Sequence, residues 1–195
     1  MPDRDFYTNK DSKSILIRAQ SVNHISRMLQ FLGDDEKSAD QQAETILNFE
    51  TSLAIPKLDK VQRRDFRKLN NPRSLNELQE MVPSLNWPLV IKDLGIEKEL
   101  DTLIVMQPKY MEVVQEIFNS ADIKTWKIVM RWATLNNAAG RLTTEIEKAN
   151  WDFYSKTLNG AKKQRPADER ALATVNGTVG EALGKLYVDE MFPPE

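Results

Sequence analysis

The sequence predicts an all-α protein, a multi-helix domain with long antiparallel helices and at most one short extended segment near residues 102–106. Three observations carry that expectation. Apolar residues recur at three- and four-residue steps instead of alternating, glycine is scarce at 7 residues, and turn-forming residues fall between the periodic stretches. One helical domain over residues 1–195 is expected, because a chain of this size buries roughly 70% of the surface it exposes when unfolded.

The first long helix follows Ile15, Ala19, Val22, Ile25, Leu29 and Leu32, and Gly33 supplies a left-handed stop. Ser38 is the expected N-cap of a second helix carrying Ala39, Ala43, Ile46, Leu47, Leu53 and Ala54, which Pro56 ends. Their short connection predicts an antiparallel hairpin. Shorter pieces follow. Val61–Leu69 reads as one short helix and Asn70-Asn71-Pro72 as a turn, while Ser74 and Glu77 have the spacing of a capping box for a helix to Met81. Trp87-Pro88 opens another short helix that Gly95 closes.

Thr102-Leu103-Ile104-Val105-Met106 is the one strand candidate, expected as a connector, as half of a two-stranded ribbon, or as an edge addition to another sheet. Pro108 then begins a helix through Phe118, Asp122 caps a long one from Ile123 to Glu147, and Trp151–Leu158 forms a further segment ended by Asn159-Gly160. The last helix runs from Pro166 to about Met191, with Gly177, Gly180 and Gly184 expected to allow close helix-to-helix approach. Without such an approach, each glycine costs about 1 kcal/mol against alanine in a helix interior.

Function is bounded by what the chain lacks. With no cysteine, disulfides, thiolate metal sites and cysteine nucleophiles are excluded. With one histidine, His24, every metal site needing two imidazoles is excluded as well. His24 has no nearby nucleophile and orienting carboxylate in sequence, so it reads as a surface or hydrogen-bonded helical histidine. The acidic groups Asp34-Asp35-Glu36, Glu145 with Glu147, and Asp168-Glu169 read as solvated faces or first-turn charges. Arg63, Arg64, Arg67 and Lys68 around Phe66 form a small basic patch, with a phosphate contact as the functional reading and a solvated face as the bland one. Trp87, Trp126, Trp132 and Trp151 read as core anchors. A net charge of −2 gives no nucleic-acid footprint, no stretch is long and apolar enough for a membrane segment, and the N-terminus shows no signal-peptide pattern. No catalytic, cofactor-binding or metal residue is therefore named.

Five stretches in order nevertheless resemble the N-terminal region of the neprilysin and endothelin-converting-enzyme family of zinc metalloendopeptidases, in its bacterial branch. Pro2-Asp3-Arg4-Asp5-Phe6-Tyr7 is similar to the family's P-D-R-x-Y-Y entry, and the run from Ile46 through Glu50 to Leu53-Ala54 to its I-x-x-x-E-x-x-L-A pattern. Val105 to Tyr110 resembles its V-x-x-P-x-Y/F turn, and Phe153 to Gly160 its F-x-x-x-L-x-G segment. The fifth is the run Val175-Asn176-Gly177 through Gly184 to Tyr187-Val188 and Phe192.

The resemblance implies a fragment of an extracytoplasmic peptidase (periplasmic, secreted or membrane-anchored). Its parent would hold zinc downstream, through H-E-x-x-H and a later glutamate, and would cleave short peptides. This region would be the lobe that caps the catalytic cavity and limits substrate size, with the catalytic zinc domain of the same parent chain as its partner. The chain alone would then be inactive and hold no cofactor. Animal members carry a cysteine just before the V-N-G run, where this chain has Ala171, so no such disulfide forms here. The competing reading is a free-standing helical module that binds a protein or peptide.

Overall fold

A computed structural model describes residues 1–96, 98 and 100–192. A short helix α1 (Asp5–Thr8) leads into two long ones, α2 (Ser12–Gln30) and α3 (Glu36–Ala54), which pack against each other as an antiparallel hairpin. The sequence places α2 correctly but not its buried face. Ile15 and Leu32 are exposed, while Ser14, Ile17, Ser21, His24, Ile25, Met28 and Leu29 are buried. Serines on this face let a neighbour come close, a signal that apolar periodicity cannot carry. The N-cap of α3 is Asp35, not Ser38. An extended backbone at Asp35 aims its carboxylate at the Ser38 N–H, 3.0 Å away, and a charged acceptor at the start of a helix also meets the macrodipole favourably.

After α3 the chain makes a 3₁₀ turn at Gln62–Arg64 and a single helical turn, α4 (Phe66–Leu69). Asp65 breaks the one helix expected here, because its side chain turns back to accept from the Arg67 N–H. Strand β1 (Pro72–Arg73) follows, then α5 (Leu75–Met81), for which Ser74 and Glu77 close the expected capping box. Helix α6 (Trp87–Asp93) is capped by Asn86, and β2 (Leu103–Ile104) pairs antiparallel with β1 in the register Pro72↔Ile104 and Arg73↔Leu103. The extended segment is thus half of a two-stranded ribbon. Its partner, two residues including a proline and read as a turn, has no sequence alternation to reveal it.

Helix α7 (Pro108–Ser120) packs on α3 and α5, and α8 (Ile123–Ala138) on α3. The long helix expected to Glu147 stops early. A 3₁₀ turn at Ala139–Arg141 and extended residues at Leu142 and Thr143 separate α8 from α9 (Thr144–Trp151), consistent with the low helix propensity of Gly140. From Asp152 to Leu158 the chain winds as a π-helix, and Gly160 at φ 72° ends it. Helix α10 (Ala167–Met191) is the longest, and it is kinked at Val179.

The core lies between the hairpin and the α8–α9 elbow. Ile25, Met28 and Leu29 of α2 meet Ala39, Ala43 and Ile46 of α3, while Trp132, Leu135, Ala139, Ile146 and Ala149 close the other side. Of the four tryptophans, Trp132 is buried and the others are half-buried. Trp126 stacks on Phe118, with ring centroids 5.0 Å apart, and meets Phe49 edge-on at 5.1 Å, joining α8 to α7 and α3.

Truncating Ile46, which is fully enclosed, should cost about 2–5 kcal/mol, whereas truncating Leu172 on exposed α10 should stay within about 0.5 kcal/mol. Urea unfolding of Ile46→Ala and Leu172→Ala followed by circular dichroism checks both, and equal losses would contradict this assignment of the core.

Candidate functional site

Two features stand out, one enclosed and one exposed. The enclosed feature begins at Glu50 on α3. Its Oε2 accepts from the Tyr7 hydroxyl at 2.6 Å, and its Oε1 accepts from the Trp132 indole N–H at 3.1 Å. One carboxylate thereby ties α1, α3 and α8 together. Burial first, and the Glu50 charge second, push the Tyr7 phenol far above its usual pKa, so it remains a donor at all ordinary pH values. With both oxygens engaged by donors from α1 and α8, Glu50 acts as a tie between helices.

His24 lies next to this knot. It is 6% exposed, stacks on Phe153 at 4.7 Å with an interplanar angle of 11°, and meets Tyr154 and Trp132 edge-on at 5.6 and 5.8 Å. Its Nε2 is buried without a hydrogen-bond partner. The sequence expectation of a surface or hydrogen-bonded histidine is therefore corrected. The π-helix explains the difference, since it carries both Phe153 and Tyr154, the two rings that enclose the imidazole from this segment. Burial, with the nearby Arg27 cation as the second cause, lowers its pKa to about 4.

The acidic groups singled out in the sequence serve as struts. Asp34 receives a two-pronged bond from Arg131, at 2.6 and 3.0 Å, and a third bond from Gln42 at 2.9 Å; the Arg131 bond is the main cause holding its carboxyl below the usual range. Glu147 pairs with Arg170 at 2.8 Å and accepts from Gln164 at 3.2 Å, fastening the start of α10 to α9. Glu145, Asp168 and Glu169 occupy first turns, where their negative charge meets the positive end of the helix dipole favourably. Among the described residues no three His, Cys, Asp or Glu side chains converge as a metal site. The one imidazole is caged by rings, so the residues present do not fit zinc.

The exposed feature is α10. It contains no buried residue, and among the described residues no other element packs along it by more than isolated contacts. Leu172, Val175, Val179 and Leu186 follow helical steps along one side and are exposed, as are Tyr187, Met191 and Phe192 near its end. The close approach expected at its glycines is not seen: among the described residues nothing lies within 4 Å of an added Cβ at Gly177 or Gly184, and at Gly180 only Asn176 of the same helix does. A large apolar surface on a helix with no partner marks a contact surface. It escaped sequence reading because periodicity reports an apolar face without saying what covers it.

The whole chain, residues 1–195, matches the family model described as Peptidase family M13. The chain belongs to that family, as an N-terminal domain. It is 25% identical over 196 residues to endothelin-converting enzyme 1 of Rattus norvegicus, covering 98% of this chain and 26% of the relative, and 26% identical to the endothelin-converting enzyme homolog of Locusta migratoria, of which it covers 28%. The fold superposes with a TM-score of 0.87 on the open state of the zinc metalloprotease Zmp1 of Mycobacterium tuberculosis, at 30% identity, covering all of this chain and 30% of that one. PepO of Lactobacillus rhamnosis shares the fold at a TM-score of 0.77 and 16% identity. The chain thus spans under a third of the length of these M13 relatives, and the metallopeptidase resemblance read from the sequence holds.

The His24 cage makes the fold acid-sensitive. Unfolded, this histidine takes up a proton near pH 6.5, whereas folded it resists until about pH 4. The unfolded chain binds the extra proton between these values, so stability is complete above pH 6.5 and falls as pH drops toward 4, by on the order of 3 kcal/mol. Urea midpoints at pH 7 and pH 4.5 should show the fall in the wild type and a much smaller one in His24→Phe; equal falls would contradict the assignment.

Proposed function

We propose that this chain is one helical lobe of an M13 zinc metalloendopeptidase. In this reading it caps the parent's catalytic cavity and restricts substrates to short peptides. The lobe contributes no catalytic or metal-binding group of its own and is inactive by itself. Zinc and the residues that hold it belong to the rest of the parent, which acts outside the cytoplasm. The observation that carries this reading is α10: a 25-residue helix with an apolar side and no cover, in a chain matching under a third of its relatives. Such a helix gains little from propensity alone, and most helical stability in proteins comes from packing an apolar face. The remainder of the parent supplies that packing, which makes α10 the seam between the lobe and the catalytic domain.

A rigid gate restricts by size. The hairpin core and the Glu50 tie give the lobe the stiffness this role requires, because both join helices that are distant in sequence. In the full-length parent, charging the seam with Leu172→Glu and Leu186→Glu should loosen the lobe and let longer peptides be cleaved, leaving side-chain preference at the cleaved bond unchanged. Cleavage of a peptide series of graded length checks this. An unchanged length cutoff in a parent whose seam is shown to be loosened would reject the gate. Turnover of peptide by the 195-residue chain alone would reject the assignment of catalysis to the rest of the parent.

A further inference from the structure

The β1–β2 ribbon has one closed edge and one open edge. Val105 donates to the Asn71 carbonyl at 2.9 Å, so Asn71 faces Val105 across a hydrogen-bonded position, and the next pair, Pro72–Ile104, is the kind whose backbone groups point outward. On β1 that outward position is Pro72. It has no N–H, and its carbonyl already accepts from the Arg73 guanidinium at 2.8 Å. The edge is thereby blocked in the way natural sheets block edges. On β2 the outward position is Ile104, whose N–H and C=O bond no other element among the described residues.

Beside this open edge lies a depression of about 490 Å³ lined by Phe66, Arg67, Leu69, Asn70, Ile104 and Met106. Val105 turns inward and is 8% exposed, while Phe66 is 82% exposed, far more than packing requires. Its one charged lining residue is Arg67. Arg64 and Arg67 have no carboxylate within 4.0 Å among the described residues, in contrast to Arg63, which Asp3 neutralises at 3.3 Å, and Lys68, which faces Asp65 at 3.8 Å. The basic patch of the sequence is therefore half spent on internal pairs, and of the other half Arg67 lines the apolar hollow.

We infer that the β2 edge and the Phe66 hollow form a docking site for an extended peptide segment carrying apolar and acidic side chains. The peptide would add as a strand to Ile104, set an apolar side chain against Phe66 and Met106, and place a carboxylate near Arg67. Backbone pairing supplies affinity in this mode, and the side-chain pockets supply selectivity. A bilayer surface also favours exposed aromatics and cations, but it makes no use of an unpaired strand edge beside a blocked one.

Fluorescence anisotropy on the 195-residue chain tests this with a labelled peptide alternating phenylalanine and glutamate. The acidic peptide should bind, more weakly as salt rises, and its lysine counterpart should bind at least about tenfold less tightly. Phe66→Ser and Arg67→Glu, both at exposed positions, should each weaken binding about tenfold or more with an unchanged circular dichroism spectrum, and N-methylation of alternate peptide amides should do the same. Absence of binding at millimolar peptide, or binding indifferent to these variants and to N-methylation, would overturn the site. Retention on anionic phospholipid vesicles that Phe66→Ser abolishes, without peptide binding, would overturn it in favour of a membrane contact. Any of these failures leaves the gate reading standing if the parent's length cutoff still responds to the seam variants.

Discussion

The structure depends on how closely α2 and α3 approach each other. Ala39 and Ala43 present little more than backbone to α2, so Ile25, Met28 and Leu29 settle against them with no exposure above 1%. Dense packing of this kind leaves no room for adjustment, because interiors are filled to the density of organic crystals. The α8–α9 elbow then has one surface on which to close. Trp132 and Leu135 seal it from one arm, Ile146 and Ala149 from the other. The polar ties follow from that geometry: Arg131 reaches Asp34 at the tip of the hairpin, and Trp132 reaches Glu50 part-way down α3.

Around this rigid centre the chain divides into groups that serve the fold and groups that serve something outside it. Carboxylates conspicuous in the sequence turn out to be caps and struts, and the single histidine is locked among rings. The exposed apolar surface that remains includes the side of α10 and a short strand edge with Arg67 beside it. The expected balance between these two is informative. Among the described residues α10 is held at its start by the Arg170–Glu147 pair and is otherwise uncovered, which in the proposed reading suits a permanent partner, whereas a shallow hollow lined by the Arg67 guanidinium suits a ligand that comes and goes.

Much of this was legible in the sequence, and the limits were physical. Helix starts with strong local chemistry could be read directly, as at Ser74 with Glu77, Pro108 and Asp122, because a cap is satisfied within four residues of itself. The α8–α9 break was missed because Gly140 lowers helix propensity without forbidding a helix, and only the packing of Trp132 against the hairpin decides the matter. The burial of His24 was missed for a related reason. Its cage comes from Phe153 and Tyr154, more than a hundred residues away and brought there by a π-helical turn for which no sequence signature was available. Family membership could be read from five short stretches, several of which the fold now explains. Glu50 belongs to one and Tyr7 to another, and the two meet at 2.6 Å.

The central claim is that α10 is a seam awaiting the rest of its parent. Amide hydrogen exchange compared between the 195-residue chain and the full-length peptidase addresses it most directly, since exchange reports the local opening of each helix separately. In the short chain, amides of α2 and α3 should be protected and those of α10 should exchange rapidly. In the parent, α10 should become as protected as the hairpin. Equal and slow exchange of α10 in both proteins, or equally rapid exchange in both, would contradict the account.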